Sequence, residues 1–227
     1  MIFDNQIKEE QKMKKDAMSE TGNGIEITKE NGRTSFAQGG ITIRHEAKPI
    51  GSEAIGCAYL VIDCSTSMSG DKLNQAINGA KQFIVDAKTK EYIVGLIQFD
   101  SSATHLCEPR KELSVLYRYL ESMSASGSTN MTDAILLATE KLVNRKEARV
   151  MVIITDGAPD NRDTAISAAQ EAKNLGIEII AIGTDDADQA FLKKIASMKF
   201  LGIKVPSAQF GQAIASAAKL LLGRRGG

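Results

Sequence analysis

Apolar runs alternate with amphipathic segments along the chain from about residue 57 onward. Four runs are nearly continuous in apolar residues, which is typical of strands buried on both faces of a parallel sheet. These predicted strands are Ala58–Ile62, Ile93–Ile97, Val150–Ile154 and Ile177–Ile182. A period of 3.6 residues predicts helices over Leu73–Ala87, Ala134–Leu142, Ala165–Leu175 (with Gly176 as its C-cap) and Phe210–Leu221.

The alternation of strands and helices predicts an α/β fold, a Rossmann-like, doubly wound and mostly parallel sheet. One segment departs from the parallel pattern. Gln98–Leu106 has a polar centre between β-prone ends, so we predict a hairpin that adds one antiparallel edge strand.

The first 50 residues have a different character. Lys8–Lys15 is a run of charged residues, which favours a solvated helix or tail. Further on, the turn dipeptide Asn31-Gly32 separates two short β-prone segments, and alternating apolar residues start at Ile41. The predicted organisation is a charged tail or helix over 1–24, a small β meander over 25–50, a main domain over 55–222 and a flexible Arg-Gly-Gly tail over 223–227.

The charge balance and the lengths of the apolar runs argue against two classes of partner. Lys plus Arg and Asp plus Glu both number 28, and the chain lacks the basic excess of a nucleic-acid-binding protein. No apolar stretch reaches the roughly 18 residues of a membrane span, so we expect no membrane partner. The first residues lack the apolar core of a secretory signal, and the three cysteines are few and odd in number. We therefore expect a cytoplasmic protein, with Cys57 and Cys64 as small buried hydrophobic residues.

Oxygen-bearing side chains follow the predicted strands. Asp63, Ser65 and Ser67 form an Asp-x-Ser-x-Ser motif at the end of the first strand, and Asp156 lies in a Thr-Asp-Gly motif after a later one. Thr129 lies in a Gly/Ser loop that opens a helix. Ligands of open α/β sheets bind at the carboxyl ends of the strands, where the strand order reverses. If the two strands are neighbours there, both carboxylates face one crevice, and the loop can bring the Thr129 hydroxyl to it.

Two carboxylates and three hydroxyls are hard oxygen donors, which suit Mg²⁺ or Mn²⁺ and disfavour Zn²⁺. Mg²⁺ requires near-octahedral geometry, so five groups, some acting through water, leave a position for an outside ligand. Two aspartates only balance the charge of the ion. We therefore expect the ion to attract an Asp or Glu carboxylate of a protein partner.

Each candidate ligand also has a simpler structural explanation. Ser67 or Ser69 could cap the helix that follows Gly70, Thr129 could be a cap, and Asp156 could belong only to a turn. The order of all five residues on the expected elements favours a metal site over these separate roles.

These motifs resemble the von Willebrand factor A domain and its metal-ion-dependent adhesion site, over roughly residues 55–222. The resemblance implies that Asp63, Ser65, Ser67, Thr129 and Asp156 match the five metal-site positions. It also implies a bacterial protein-binding module that works in a multi-component assembly, such as a stress-resistance or ATPase-linked system. One departure is Gly127-Ser128, where the family often has a glycine pair.

Enzymatic motifs are absent from the sequence. Haloacid-dehalogenase-like phosphatases need a second Asp where Ser65 stands, and a hydroxyl cannot act as their general acid. There is no phosphate-binding G-x-x-x-x-G-K-[ST], no G-x-G-x-x-G after a strand and no nucleophile elbow. We therefore predict that the protein is not an enzyme.

The C-terminal Gly226-Gly227 leaves an alternative function open. An Arg-Gly-Gly terminus resembles the tail of ubiquitin-like modifiers, although a predicted helix precedes it here instead of a β-grasp strand. The alternative is a structural scaffold or a conjugatable modifier whose metal site serves stability or has no role.

Overall fold

A computed structural model describes the strand backbone of residues 26–30, 33–38 and 41–45 and the whole of residues 54–222. The chain divides into two units between Glu53 and Ala54, and each is described by itself. The first unit contains an antiparallel three-stranded sheet of order β1-β2-β3, formed by β1 (Glu26–Glu30), β2 (Arg33–Gln38) and β3 (Ile41–His45). The predictions for residues 1–24 and 223–227 lie outside the described residues.

The second unit is built on a six-stranded sheet of order β6-β5-β4-β7-β8-β9. Its strands are β4 (Gly56–Asp63), β5 (Tyr92–Phe99), β6 (Ala103–Arg110), β7 (Ala148–Thr155), β8 (Glu178–Thr184) and β9 (Gly202–Val205). All neighbouring pairs are parallel except β5 and β6, which form the predicted hairpin at the sheet edge. The predicted fold class is confirmed.

Six α-helices of residues 54–222 cover this sheet. They are α1 (Asp71–Thr89), α2 (Leu113–Glu121), α3 (Met131–Val143), α4 (Arg162–Asn174), α5 (Gln189–Ile195) and α6 (Phe210–Ala217). Helix α1 packs against α2 and α6, and α4 packs against α3 and α5. Because helices cover the sheet, every residue of its central strand β4 is buried, as its continuous apolar run predicted. Among the described residues, no helix combines the length and apolar character needed to cross a membrane.

The four predicted strands and the four predicted helices are all present, and some of them begin or end at other residues than predicted. Strand β8 begins at Glu178, one residue after the predicted start. The predicted helix Phe210–Leu221 is shorter, because α6 ends at Ala217 and a 3-10 turn over Ala218–Leu220 follows it. Gly176 follows helix α4 with a φ of 76°, the left-handed conformation that a glycine adopts where it caps the end of a helix. The sequence patterns did not predict α2, α5 or β9.

The two cysteines that flank the apolar run of β4 are buried, as predicted. Cys57 and Cys64 are buried and free, and burial raises the pKa of each thiol to about 12. These thiols are therefore protonated at neutral pH and pack as small apolar side chains.

Helices α1 and α6 cross in close contact at a pair of glycines. A Cβ atom on Gly79 would lie 2.5 Å from the Gly211 carbonyl oxygen and 2.9 Å from the Ile214 Cβ. We expect Gly79→Ala to lower the free energy of unfolding by about 1–2 kcal/mol, because overpacking outweighs the better helix propensity of alanine. Urea denaturation would measure it. Asn78→Ala, at the neighbouring exposed position of α1, should be neutral or stabilising, and an equal gain in Gly79→Ala would contradict this packing.

Candidate metal centre

The carboxyl ends of four neighbouring strands bring four aspartates to one edge of the sheet. Strand β4 ends at Asp63, and β5, β7 and β8 lead directly into Asp100, Asp156 and Asp185. Strands β5 and β7 flank β4 on opposite sides, so the strand order reverses at β4. This is the position at which open α/β sheets bind ligands.

A chain of hydrogen bonds joins four of the five predicted ligands. Asp63 Oδ1 accepts a hydrogen bond from the Ser65 backbone N–H at 2.8 Å, and Ser65 Oγ lies 3.1 Å from Ser67 Oγ. Ser67 Oγ in turn donates to Asp156 Oδ1 at 2.8 Å. The two serine hydroxyls therefore connect the carboxylate of β4 with the carboxylate that follows β7.

The two carboxylates lie at the buried side of the site. Asp63 is 0% exposed and Asp156 is 1% exposed, whereas Ser67 is exposed at the surface. Burial raises the pKa of the Asp63 carboxyl from 3.8 to about 6. Hydrogen bonds from Thr155 and Ser65 act in the opposite direction, and the charge of Asp156 raises the pKa further. The fold thus holds the Asp63 carboxyl where ionisation is costly without a compensating cation.

Thr155, which the prediction of the site left out, orients the Asp63 carboxylate. Its hydroxyl is 0% exposed and donates a hydrogen bond of 2.6 Å to Asp63 Oδ2. Both oxygens of Asp63 are therefore fixed, one by Thr155 and the other by the Ser65 backbone. Thr155 belongs to the Thr-Asp-Gly motif, but the motif alone predicts only its aspartate as a site residue.

A lysine also enters the site. Lys72, in the first turn of α1, places Nζ 2.6 Å from Asp156 Oδ2 and 3.6 Å from Asp185 Oδ2. The hydrogen bond to Asp156 raises the pKa of Lys72, so its side chain is a cation. Asp156 is therefore shared between Ser67 at one oxygen and Lys72 at the other.

The loop of the fifth predicted ligand, Thr129, is joined to the site by a backbone hydrogen bond. Thr66 N–H donates to the Gly127 carbonyl oxygen at 3.2 Å, which joins the loop of Thr129 to the Asp-x-Ser-x-Ser segment. The Thr129 N–H donates to Asp160 Oδ1 at 3.0 Å. Among the described residues, the other four predicted ligands make no hydrogen bond with the Thr129 hydroxyl. The loop lies beside the site, and the Thr129 side chain is not part of the hydrogen-bond chain.

The capping alternatives are wrong. Helix α1 is preceded by Gly70 without a side-chain cap, and Ser67 bonds to Asp156 instead. Helix α3 is capped by Asn130, whose side chain accepts a hydrogen bond from the Asp133 N–H, so Thr129 is not the cap. Asp156 contacts Ser67 and Lys72 and is therefore more than a turn residue.

The donor atoms fit a small hard cation. Within residues 54–222 there is no cluster of three or more His, Cys, Asp or Glu side chains that could hold a metal by those groups alone. The site instead combines two carboxylates with serine hydroxyls, a set of oxygen donors suited to Mg²⁺ or Mn²⁺. A divalent ion would offset the charge that burial disfavours at Asp63.

Several curated proteins are similar in sequence to this chain. It is 29% identical over 154 residues to inter-alpha-trypsin inhibitor heavy chain 4 of Mus musculus, with 60% of this chain and 16% of that protein covered. It is 31% identical over 153 residues to calcium-activated chloride channel regulator 4 of Homo sapiens, with 63% and 16% covered. The chain thus spans a small part of the length of these relatives.

Solved structures share the fold. The vWF domain of the type V pili tip protein Mfa5 from Porphyromonas gingivalis superposes with a TM-score of 0.67 at 14% identity, covering 74% of this chain and 95% of that one. The pilus adhesin SpaC from Lactobacillus rhamnosus GG gives a TM-score of 0.65 at 15% identity, covering 88% of this chain and 35% of that one. At such identities the likeness concerns the fold alone.

The sequence model of the von Willebrand factor type A domain matches residues 59–216, which run from β4 into α6. The match includes all five predicted ligands and all six strands of the larger sheet except the first residues of β4. Because it extends over most of the chain, the protein belongs to the von Willebrand factor type A domain family.

Proposed function

We propose that this domain binds Mg²⁺ or Mn²⁺ through Asp63, Ser65, Ser67, Thr129 and Asp156 and uses the ion to capture a carboxylate of a protein partner. In this proposal the five residues form a metal-ion-dependent adhesion site, and the module binds without catalysing a reaction. Members of this family serve adhesion and protein interaction, which supports a protein as the partner.

One observation carries the proposal. Two buried carboxylates, Asp63 and Asp156, are linked by serine hydroxyls at the point where the strand order reverses. Keeping an ionised Asp63 buried next to a second carboxylate is costly, so the fold gains stability when a cation binds there. A site that served only packing would not need ionisable groups at these positions.

The exposure of two of the proposed hydroxyl ligands supports the capture of an outside ligand. Ser67 is exposed, and Thr129 is partly exposed on the adjoining loop. A cation above the two buried carboxylates would therefore face solvent on the side of these hydroxyls. Two aspartates balance a divalent ion without giving it excess negative charge, so it still attracts a carboxylate from a partner.

Denaturation with and without metal tests the binding of the ion. We expect Mg²⁺ at 100 times its dissociation constant to raise the free energy of unfolding by about 2.7 kcal/mol over the chelator-treated protein. Urea denaturation at fixed ionic strength measures this difference, with Na⁺ replacing Mg²⁺ as the control for screening. An equal stability with Mg²⁺ and with chelator would refute the metal site.

A peptide-display library selected in Mg²⁺ and eluted with chelator tests the partner chemistry. We expect the enriched peptides to share an Asp or Glu, and the exchange of that residue for Asn or Gln to abolish binding. The Asp63→Asn domain serves as the counter-screen and should retain none of these peptides. Peptides that lack an acidic residue, or that bind the Asp63→Asn domain equally, would contradict carboxylate capture.

A further inference from the structure

We propose that Lys72 competes with the divalent cation for Asp156, and that Asp185 receives the Lys72 ammonium when the ion is bound. The inference rests on the proposed metal site and concerns what sets its affinity. It assigns a role to two residues, Lys72 and Asp185, that the predicted set of ligands does not include.

The geometry places Lys72 between two carboxylates. Its Nζ contacts Asp156 Oδ2 at 2.6 Å and lies 3.6 Å from Asp185 Oδ2. The Lys72 side chain is 23% exposed and that of Asp185 is 34% exposed, so neither is locked in the core. A lysine ammonium on a flexible four-carbon stem can move between acceptors this close without a change in the backbone.

The two oxygens of Asp156 have different partners. Oδ1 accepts a hydrogen bond from Ser67, which belongs to the Asp-x-Ser-x-Ser motif, and Oδ2 faces Lys72. With Lys72 in place, the negative charge of Asp156 is already neutralised by one internal cation. An ammonium at this distance also repels a divalent ion. Lys72 therefore lowers the affinity of the site unless it moves away from Asp156.

Asp185 offers the position to which Lys72 can move. It follows β8, the strand next to β7, and its backbone has a φ of 44°. This left-handed conformation is uncommon for residues other than glycine, but Asp and Asn adopt it more readily than most. The turn directs a carboxylate toward Lys72 at the edge of the metal site, where it can hold the ammonium outside the coordination sphere.

The dissociation constant for Mg²⁺ of the full chain, measured by isothermal titration calorimetry, tests the inference. We expect Lys72→Gln to bind Mg²⁺ about tenfold more tightly, because glutamine keeps a hydrogen-bond donor and removes the charge. We expect Asp185→Asn to bind severalfold more weakly, since Lys72 then stays on Asp156. Asparagine tolerates the left-handed backbone, so the fold should be unaffected.

Lys81→Gln is the matched control. It removes a lysine of the same helix that pairs with Glu121 at 2.7 Å and is similarly exposed, at 27%. It lies nine residues further along α1, roughly 13 Å from Lys72 at 1.5 Å per residue, and should leave the Mg²⁺ affinity unchanged. In a double-mutant cycle, Asp185→Asn should weaken binding less in the Lys72→Gln background than in the wild type.

The possible failures are distinguishable. A wild type that binds no Mg²⁺ overturns the proposed function and this inference together. If the wild type binds Mg²⁺ but Lys72→Gln has an unchanged or weaker affinity, only the competition by Lys72 is overturned. Equal effects of Asp185→Asn with and without Lys72 would show that Asp185 acts as a general negative charge, which overturns its role as the receiving group.

Discussion

The variant Asp63→Asn is expected to be more stable than the wild type without metal and to gain nothing from Mg²⁺. The Asp63 carboxyl is fully buried, and burial raises its pKa to about 6. A shift of about two pKa units corresponds to about 3 kcal/mol of lost stability at neutral pH, which an uncharged amide avoids. The amide also fits the existing contacts, because its oxygen can accept from Ser65 and its NH₂ group can donate to Thr155.

The size of this effect depends on pH. The pKa of Asp63 is higher in the folded than in the unfolded protein, so the penalty is absent well below pH 4, where both states are protonated. It develops as the pH rises toward 6 and is complete above it. The stability gain of Asp63→Asn over the metal-free wild type should therefore appear at pH 7 and vanish near pH 3, as measured by urea denaturation at both values.

Asp86→Asn provides the control for this prediction. Asp86 is partly exposed on α1, where it accepts a hydrogen bond from Gln82, so its exchange should change the stability little and leave the response to Mg²⁺ as it is. Stabilisation of Asp63→Asn by Mg²⁺ equal to that of the wild type would show that Asp63 is not a ligand. A metal-free Asp63→Asn less stable than the wild type at pH 7 would show that the carboxylate is not costly there.

Thr155→Val is expected to lower the free energy of unfolding of the metal-free protein by about 3 kcal/mol, the upper range for a lost hydrogen bond to a buried charge. Valine has nearly the same shape, so packing is preserved while Asp63 Oδ2 loses the donor at 2.6 Å. The freed carboxylate also loses its fixed orientation, so the affinity for Mg²⁺ should fall. Urea denaturation and calorimetric titration measure the two effects.

Thr139→Val is the control for this loss. Thr139 is also buried, in helix α3, but its hydroxyl donates to a neutral group, the Ile135 carbonyl oxygen, at 2.7 Å. We expect a cost of about 1 kcal/mol there and no change in Mg²⁺ affinity. In the Asp63→Asn background the cost of Thr155→Val should shrink, and equal costs in both backgrounds would rule out the charge as its cause.

The elements found from the sequence are those with long, uniform patterns. Strand β4 is continuously apolar from Cys57 to Ile62 because both of its faces are covered, and α1 repeats its apolar positions over 19 residues. The elements that were missed are short. Helix α5 has 7 residues and β9 has 4, too few for a period to emerge, and β9 is held mainly by its pairing with β8.

The predicted ligands came from motifs next to strand ends, and four of the five meet in space. The groups that support them were not visible in the sequence. Asp160 holds the Thr129 loop from 31 residues away, and Lys72 reaches Asp156 over a separation of 84 residues. Such contacts depend on which strands are neighbours, and a single sequence does not specify the strand order. Thr155 was within a recognised motif, but its role depends on the direction of a side chain.

The parallel arrangement of β4, β7 and β8 separates the two ends of the domain. The aspartates lie where these strands finish, and the segment between α3 and β7 lies where β7 starts, at the opposite end of the sheet. Lys146 is exposed in that segment. A surface tether can be attached there through a cysteine introduced at this position. It would hold the domain with its acidic edge pointing away from the support, an orientation suited to single-molecule force measurements.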